Sequence, residues 1–147
     1  GTNDNHHPEN SHVLPALIRR FHEAKESNAP YVECWGDGSA MREFLHVDDL
    51  ARAVLLASEK YDSSLHLNIG TGVDISIKDL AQKIAEASGF EGEILWDTSK
   101  PDGTPRKVLE VSRIKQLGWS PRVTLEEGIT STIRWYKDAT VKGKSRR

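Results

Sequence analysis

The chain has 147 residues, with 20 lysines and arginines against 22 aspartates and glutamates and a formal charge of -2. That near balance gives no global pull toward nucleic acid or a membrane surface, and the length suits one domain with a real core. A single cysteine, Cys34, excludes a disulfide framework within the chain and points to a reducing, cytoplasmic compartment.

The sequence opens on a polar stretch with no initiating methionine and no strand before it, as expected of an internal portion of something longer. No signal peptide or membrane span is read in it. Ser11 is suited to cap a helix running to about Lys25, because Val13, Leu14, Leu17, Ile18 and Phe21 recur at helical spacing and Pro15 is tolerated in a first turn. His12 then falls in that first turn. Arg20 follows eight residues on, roughly 12 Å along the axis, so a proton-transfer group and an anion clamp share one face.

Asn28-Ala29-Pro30 breaks the helix, and Tyr31 to Trp35 is a short β-rich run. Gly36-Asp37-Gly38-Ser39 has turn chemistry and Arg42 to Val47 extends again, which predicts a hairpin. Asp48 or Asp49 caps the next helix, through about Glu59. Leu65 to Ile69 reads as a strand ended by Gly70-Thr71-Gly72, a turn that lacks the third glycine and following acid of a dinucleotide loop. Ser76 caps a helix that buries Ile77, Leu80, Ala81, Ile84 and Ala85 and closes at Gly89.

Glu93 to Asp97 is a further strand, Ser112 begins a short helix to Leu117, and Leu125 to Tyr136 is the last helix, with Ile129, Ile133 and Trp135 apolar. The alternation of β and α predicts an α/β fold. The basic tail from Val141 to Arg147 reads as a solvated end. The spacing of His6, His7 and His12 fits no standard zinc pattern, so no metal is expected.

A diphosphate is met best by arginine, whose planar fork donates in pairs where lysine offers a point charge. Arg20 and Arg42 are the clamp candidates. Lys100 to Lys107 forms a third cationic cluster, and the three are expected to converge on one pocket with His12.

Three blocks, Asn5 to Arg20, Arg42 to Ala51 and Lys100-Pro101-Asp102-Gly103-Thr104-Pro105-Arg106-Lys107, occur in this order and spacing. With them the chain resembles the carboxy-terminal part of the GDP-L-fucose synthase family, within the extended short-chain dehydrogenase/reductases. The Arg42 to Ala51 block is shared across that superfamily; the other two are more specific. Thr2 stands where the family usually has proline, and His6 where an aromatic is common.

The resemblance implies the substrate-binding part of a Rossmann-type, NADP-dependent enzyme with most of the parallel sheet missing. Residues 1–147 would be a substrate-domain fragment, and about 46–72 would pack on the absent dinucleotide-binding domain. The implied reaction is 3,5-epimerisation and 4-reduction of GDP-4-keto-6-deoxy-D-mannose to GDP-L-fucose with NADPH. Epimerisation beside a ketone needs an acid and a base with pKa values near neutrality, a task suited to histidine.

His12 would be the acid partner of an upstream cysteine, which Cys34 does not match, and would lie beside the nicotinamide. Arg20, Trp35, Arg42 and Asp102 would contact the sugar nucleotide, with Lys107 as a further phosphate ligand. Trp35 read alone suits either a ligand contact or a core aromatic at a strand end. The glycine-rich fingerprint and Tyr-x-x-x-Lys pair of the family are not in this chain, so it is expected to be inactive alone. The full-length enzyme would be a homodimer, with no nucleic-acid or membrane partner. Two other readings stay open: another sugar-nucleotide epimerase or dehydratase, and a noncatalytic module that binds GDP-sugars or proteins.

Overall fold

A computed structural model describes residues 1–101, 103–141 and 143. The elements in chain order are α1 (Val13–Glu26), β1 (Tyr31–Trp35), β2 (Met41–Glu43), α2 (Val47–Lys60), β3 (Asp74–Ser76), α3 (Ile77–Ser88), β4 (Glu93–Asp97), β5 (Arg106–Lys107), α4 (Ser112–Gln116) and α5 (Leu125–Val141). The strands form two small sheets. β1 pairs with β4 in parallel, Tyr31 opposite Glu93 and Trp35 opposite Asp97. The second sheet has the order β3-β2-β5, with β2 antiparallel to β3 and parallel to β5. This is an α/β, Rossmann-like arrangement whose parallel sheet is fragmentary.

The main core lies between the β1–β4 pair and helices α1, α3 and α5. Val32 and Cys34 point inward from β1 while Tyr31, Glu33 and Trp35 face out, as the two-residue period of a strand requires. Ile18, Phe21, Leu80 and Ile84 are fully buried there, each contributing about 1.5–3 kcal/mol relative to exposure. A second cluster joins Ala53 of α2 to Val111, Ile114 and Trp119 around α4.

α3 matches its sequence signals. The Ser76 hydroxyl accepts the Asp79 N–H at 2.9 Å, and Gly89 takes the left-handed C-terminal conformation at φ 73°. α4 and α5 begin at Ser112 and Leu125 as expected, whereas the starts of α1 and α2 differ from expectation. His12, not Ser11, is the N-cap of α1 by backbone conformation, and its imidazole makes no capping hydrogen bond. In α2 the cap is His46, whose Nδ1 accepts the Asp48 N–H at 3.3 Å; Asp48 and Asp49 lie in the first turn, where the helix dipole favours them. α5 runs on beyond Tyr136 to Val141.

The expected hairpin of 31–35 with 42–47 does not form. Gly36 and Gly38 both have φ near 77°, the Gly38 carbonyl accepts the Lys78 N–H at 2.9 Å, and Gly38 lies against the Trp96 ring with no room for a Cβ. The chain is thereby turned out of the first sheet and delivered to the second. The expected strand at Leu65–Ile69 likewise joins no ladder. Side chains hold it instead: Asn68 donates to the Glu110 carbonyl at 3.0 Å and Arg113 to the His66 carbonyl at 2.7 Å. The three-residue β3 and two-residue β5 were not anticipated.

Candidate functional site

The second sheet organises the cationic candidates. β2 is its central strand, and Arg42 stands in register with Ile75 of β3 and Lys107 of β5, so the three side chains emerge on one face. Arg42 Nη1 donates to the Met41 carbonyl at 2.7 Å, which steers the guanidinium along the strand and toward Gly103. On the opposite face Asp74 and Arg106 form an ion pair that laces β3 to β5 across β2.

A second group gathers at the open end of β1. Arg20, half-buried on α1, donates through Nη1 to the Glu33 carbonyl at 3.0 Å. Two residues along, Trp35 is 60 % exposed, and Lys100 Nζ sits 5.9 Å from its ring centroid. Trp35 is therefore no core aromatic. The segment between Asp97 and Arg106 touches both groups, at Trp35 through Lys100 and at Arg42 through Gly103. Asp102, in that segment, lies outside the described residues.

His12 is exposed at the start of α1, its imidazole free of any capping role. The anticipated residues line neither of two cavities in the structure. An apolar one of about 330 Å³ runs between Leu14, Phe44, Ile75, Val123 and Ile129, and a more polar one of about 540 Å³ is bounded by His6, Arg19, His22 and Tyr136. The structure thus joins Arg42 to Lys107, and Arg20 to the Trp35 end of β1, on an accessible surface.

Cys34 is buried, and that burial pushes its thiol above the ordinary range. Such a thiol is a poor nucleophile. Gly70-Thr71-Gly72 is unsuited to a dinucleotide phosphate, because a carboxylate already occupies it: Gly72 N–H donates to Glu43 Oε1 at 2.9 Å. Among the described residues no cluster of three metal-ligating side chains occurs, and no helix is long and apolar enough to cross a membrane. Glu43 is a further participant, and Lys100 takes its place at Trp35 as a member of the expected third cationic cluster. The sequence signal for Glu43 is its adjacency to Arg42.

Comparison with known proteins adds a family. Residues 1–70 match the NAD dependent epimerase/dehydratase family. Over 144 residues the chain is 55 % identical to Probable GDP-L-fucose synthase 1 of Oryza sativa subsp. japonica, a match spanning 98 % of this chain and 44 % of that one. It is 53 % identical over 145 residues to GDP-L-fucose synthase of Escherichia coli (strain K12), spanning 92 % and 45 %.

The chain is GDP-L-fucose synthase-like.

It falls with the NAD(P)-dependent epimerases and spans less than half the length of these GDP-L-fucose synthase relatives. A crystal structure of a GDP-L-fucose synthetase from Naegleria fowleri bound to NADP superposes with a TM-score of 0.92 at 28 % identity, over the whole of this chain and 46 % of that one. The fold likeness extends over both small sheets and the helices around them.

Proposed function

We propose that this chain supplies the sugar-nucleotide site of a GDP-L-fucose synthase, an NADPH-dependent enzyme that epimerises GDP-4-keto-6-deoxy-D-mannose at C3 and C5 and reduces it at C4. The observation that carries the reading is 55 % identity across 98 % of the chain to a GDP-L-fucose synthase relative. The register of Arg42 with Lys107 supports it, since a pair of adjacent cations on one sheet face suits a diphosphate.

In this reading Arg42 and Lys107 take the diphosphate, with Arg20 and Asp102 as further substrate ligands. Trp35 lies along the nucleotide sugar, offering an exposed ring of the kind that stacks on flat ligands. His12 delivers the proton during epimerisation, its imidazole uncommitted and exposed. NADP, when bound, supplies the hydride for the reduction. Its phosphates are held by a dinucleotide-binding part beyond these residues, on which 46–72 pack, and His12 borders the nicotinamide. The Leu65–Ile69 segment, which lies in no sheet ladder, and the exposed Val54 and Leu55 of α2 support that packing, as a stretch free to join a sheet and apolar surface left uncovered. The whole enzyme is a cytoplasmic homodimer, and this chain alone lacks turnover.

Calorimetric titration with GDP-mannose, UDP-glucose and NADPH tests the assignment. Binding of the guanosine sugar without NADPH is expected. A preference for the uridine sugar would move the chain to another sugar-nucleotide epimerase, and absence of any nucleotide binding would overturn the reading.

A further inference from the structure

We infer that Glu43 is a positioning residue for the diphosphate clamp: its carboxylate sets Lys107 beside Arg42 by tying the chain after β5 to β2. The inference rests on the proposed GDP-sugar reading and deepens it. Glu43 points away from the clamp, on the sheet face opposite Arg42, and so touches no ligand that Arg42 and Lys107 hold. What it touches is backbone.

Oε2 accepts the Leu109 N–H at 2.8 Å, 66 residues along the chain. Oε1 accepts the Gly72 N–H at 2.9 Å and the Thr71 hydroxyl at 3.3 Å. One side chain thus binds two separate segments to the central strand. The Leu109 bond is the important one for the clamp. β5 is only two residues long, and a ladder of two positions, Met41 with Arg106 and Arg42 with Lys107, is too short to define its own register. A charge-assisted bond two residues beyond Lys107 pins that register from the far side.

Gly70 gives an independent handle on the same carboxylate. A Cβ at Gly70 would overlap Glu43 Oε1, so the glycine is required by its neighbour and not by its own backbone, which is outside the left-handed region. Gly70→Ala should therefore push the carboxylate aside without introducing strain at position 70. It displaces the carboxylate, and crowds the adjacent Leu109 side chain, while leaving Glu43 in the sequence. Thr71→Val removes the weaker hydroxyl contact to the carboxylate, together with the hydroxyl's own bonds to the Val73 backbone, and serves as the loop-side contrast.

The experiment compares Glu43→Ala, Gly70→Ala and Thr71→Val with the parent chain, each confirmed folded by circular dichroism. Two quantities are read: amide hydrogen exchange at Leu109, and calorimetric affinity for GDP and GMP. Glu43→Ala and Gly70→Ala should each speed Leu109 exchange and weaken GDP binding at least tenfold, with GMP affected less, because the clamp serves the diphosphate. Thr71→Val should stay within twofold on both. A general loss of stability would lower both affinities alike, which would overturn the positioning role, as would parental GDP affinity or unchanged Leu109 exchange in Glu43→Ala and Gly70→Ala. A Thr71→Val loss as large as that of Glu43→Ala would also overturn it, since the carboxylate would then act through the loop. If the parent chain binds no GDP, the substrate reading falls and the inference with it; parental binding that the variants retain removes the inference alone.

Discussion

Asp49, in the first turn of α2, accepts the backbone N–H of Val123 at 2.9 Å across 74 positions of sequence. The same oxygen takes the Arg122 N–H at 2.9 Å, and the other takes Arg52 at 3.0 Å, which in turn reaches the Ser120 carbonyl. A carboxylate 1 % exposed is thereby the anchor for the segment that leads into α5. Burial alone would raise its pKa, but the donors from Val123 and Arg122 and the charge of Arg52 outweigh that, and it lies below its ordinary value.

Replacing Asp49 by alanine leaves two backbone donors and a guanidinium without their partner. The expected cost is about 1–3 kcal/mol, the scale of leaving buried backbone donors unsatisfied, since Arg52 is partly exposed and keeps the Ser120 carbonyl. Urea denaturation of Asp49→Ala measures it. Because the folded pKa is depressed, the contribution of Asp49 is present above the ordinary carboxylate range and is lost as pH falls through the folded value.

A second pH effect has the opposite cause. His6 is 1 % exposed, its ring 4.4 Å from that of Tyr136. Its Nδ1 lies 3.1 Å from the Pro15 carbonyl, which can only accept, so the neutral ring carries its proton there and Nε2 is left unpaired. Burial lowers its pKa below 6.5, against a raising influence from the Pro15 bond and Asp4. The unfolded chain then binds the proton more readily than the folded one, so stability falls as pH drops below about 6.5. His6→Phe keeps the stacking and should flatten the stability profile between about pH 7 and 5. Some slope should remain from His22, whose pKa burial also lowers. Thermal unfolding across that range checks both.

Truncation of the clamp arginines tests the proposed site directly. Arg42→Ala and Arg20→Ala should each weaken GDP-sugar binding by roughly 1.5–3 kcal/mol, the scale of a charge-assisted hydrogen bond. Calorimetry on the folded variants gives the value. A change below a few tenths would remove that residue from the clamp.

Cys34 should be inert in the folded chain. Its side chain is 3 % exposed on β1, and its raised pKa keeps the thiolate scarce. Iodoacetamide labelling followed by mass spectrometry should show alkylation only under conditions that unfold the chain, at a rate that tracks the unfolded population. Rapid labelling in native buffer would refute this.

How far the residues disclosed the structure depends on the range of the forces concerned. α3 was legible because Ser76, the apolar positions and Gly89 all act within a few residues of one another. The extents of β1 and β4 were legible for the same reason, though not that Trp35 would face outward. The pairing of β1 with β4 was not, since nothing local to Tyr31–Trp35 distinguishes a partner 62 residues away from one seven residues away. Asp49 misled as a cap because its type suits a helix start, while its actual partners, Arg122 and Val123, are remote. The clamp arginines could be named from their chemistry and the family blocks. Glu43 could not, because its role depends on backbone donors brought up from two distant segments.

The β1–β4 ladder has a kinetic side. Joining Val32 to Ile94 closes a loop of about sixty residues that contains α2, β3 and α3. Loop closure over that span is entropically expensive, and contacts of such high sequence separation slow folding. The local helices can flicker in and out within microseconds, but the partnership that gives them a common floor must wait for a long-range encounter. Chain collapse and completion of the core are thus separated in time, and the interval between them is when this polypeptide is most vulnerable to proteolysis.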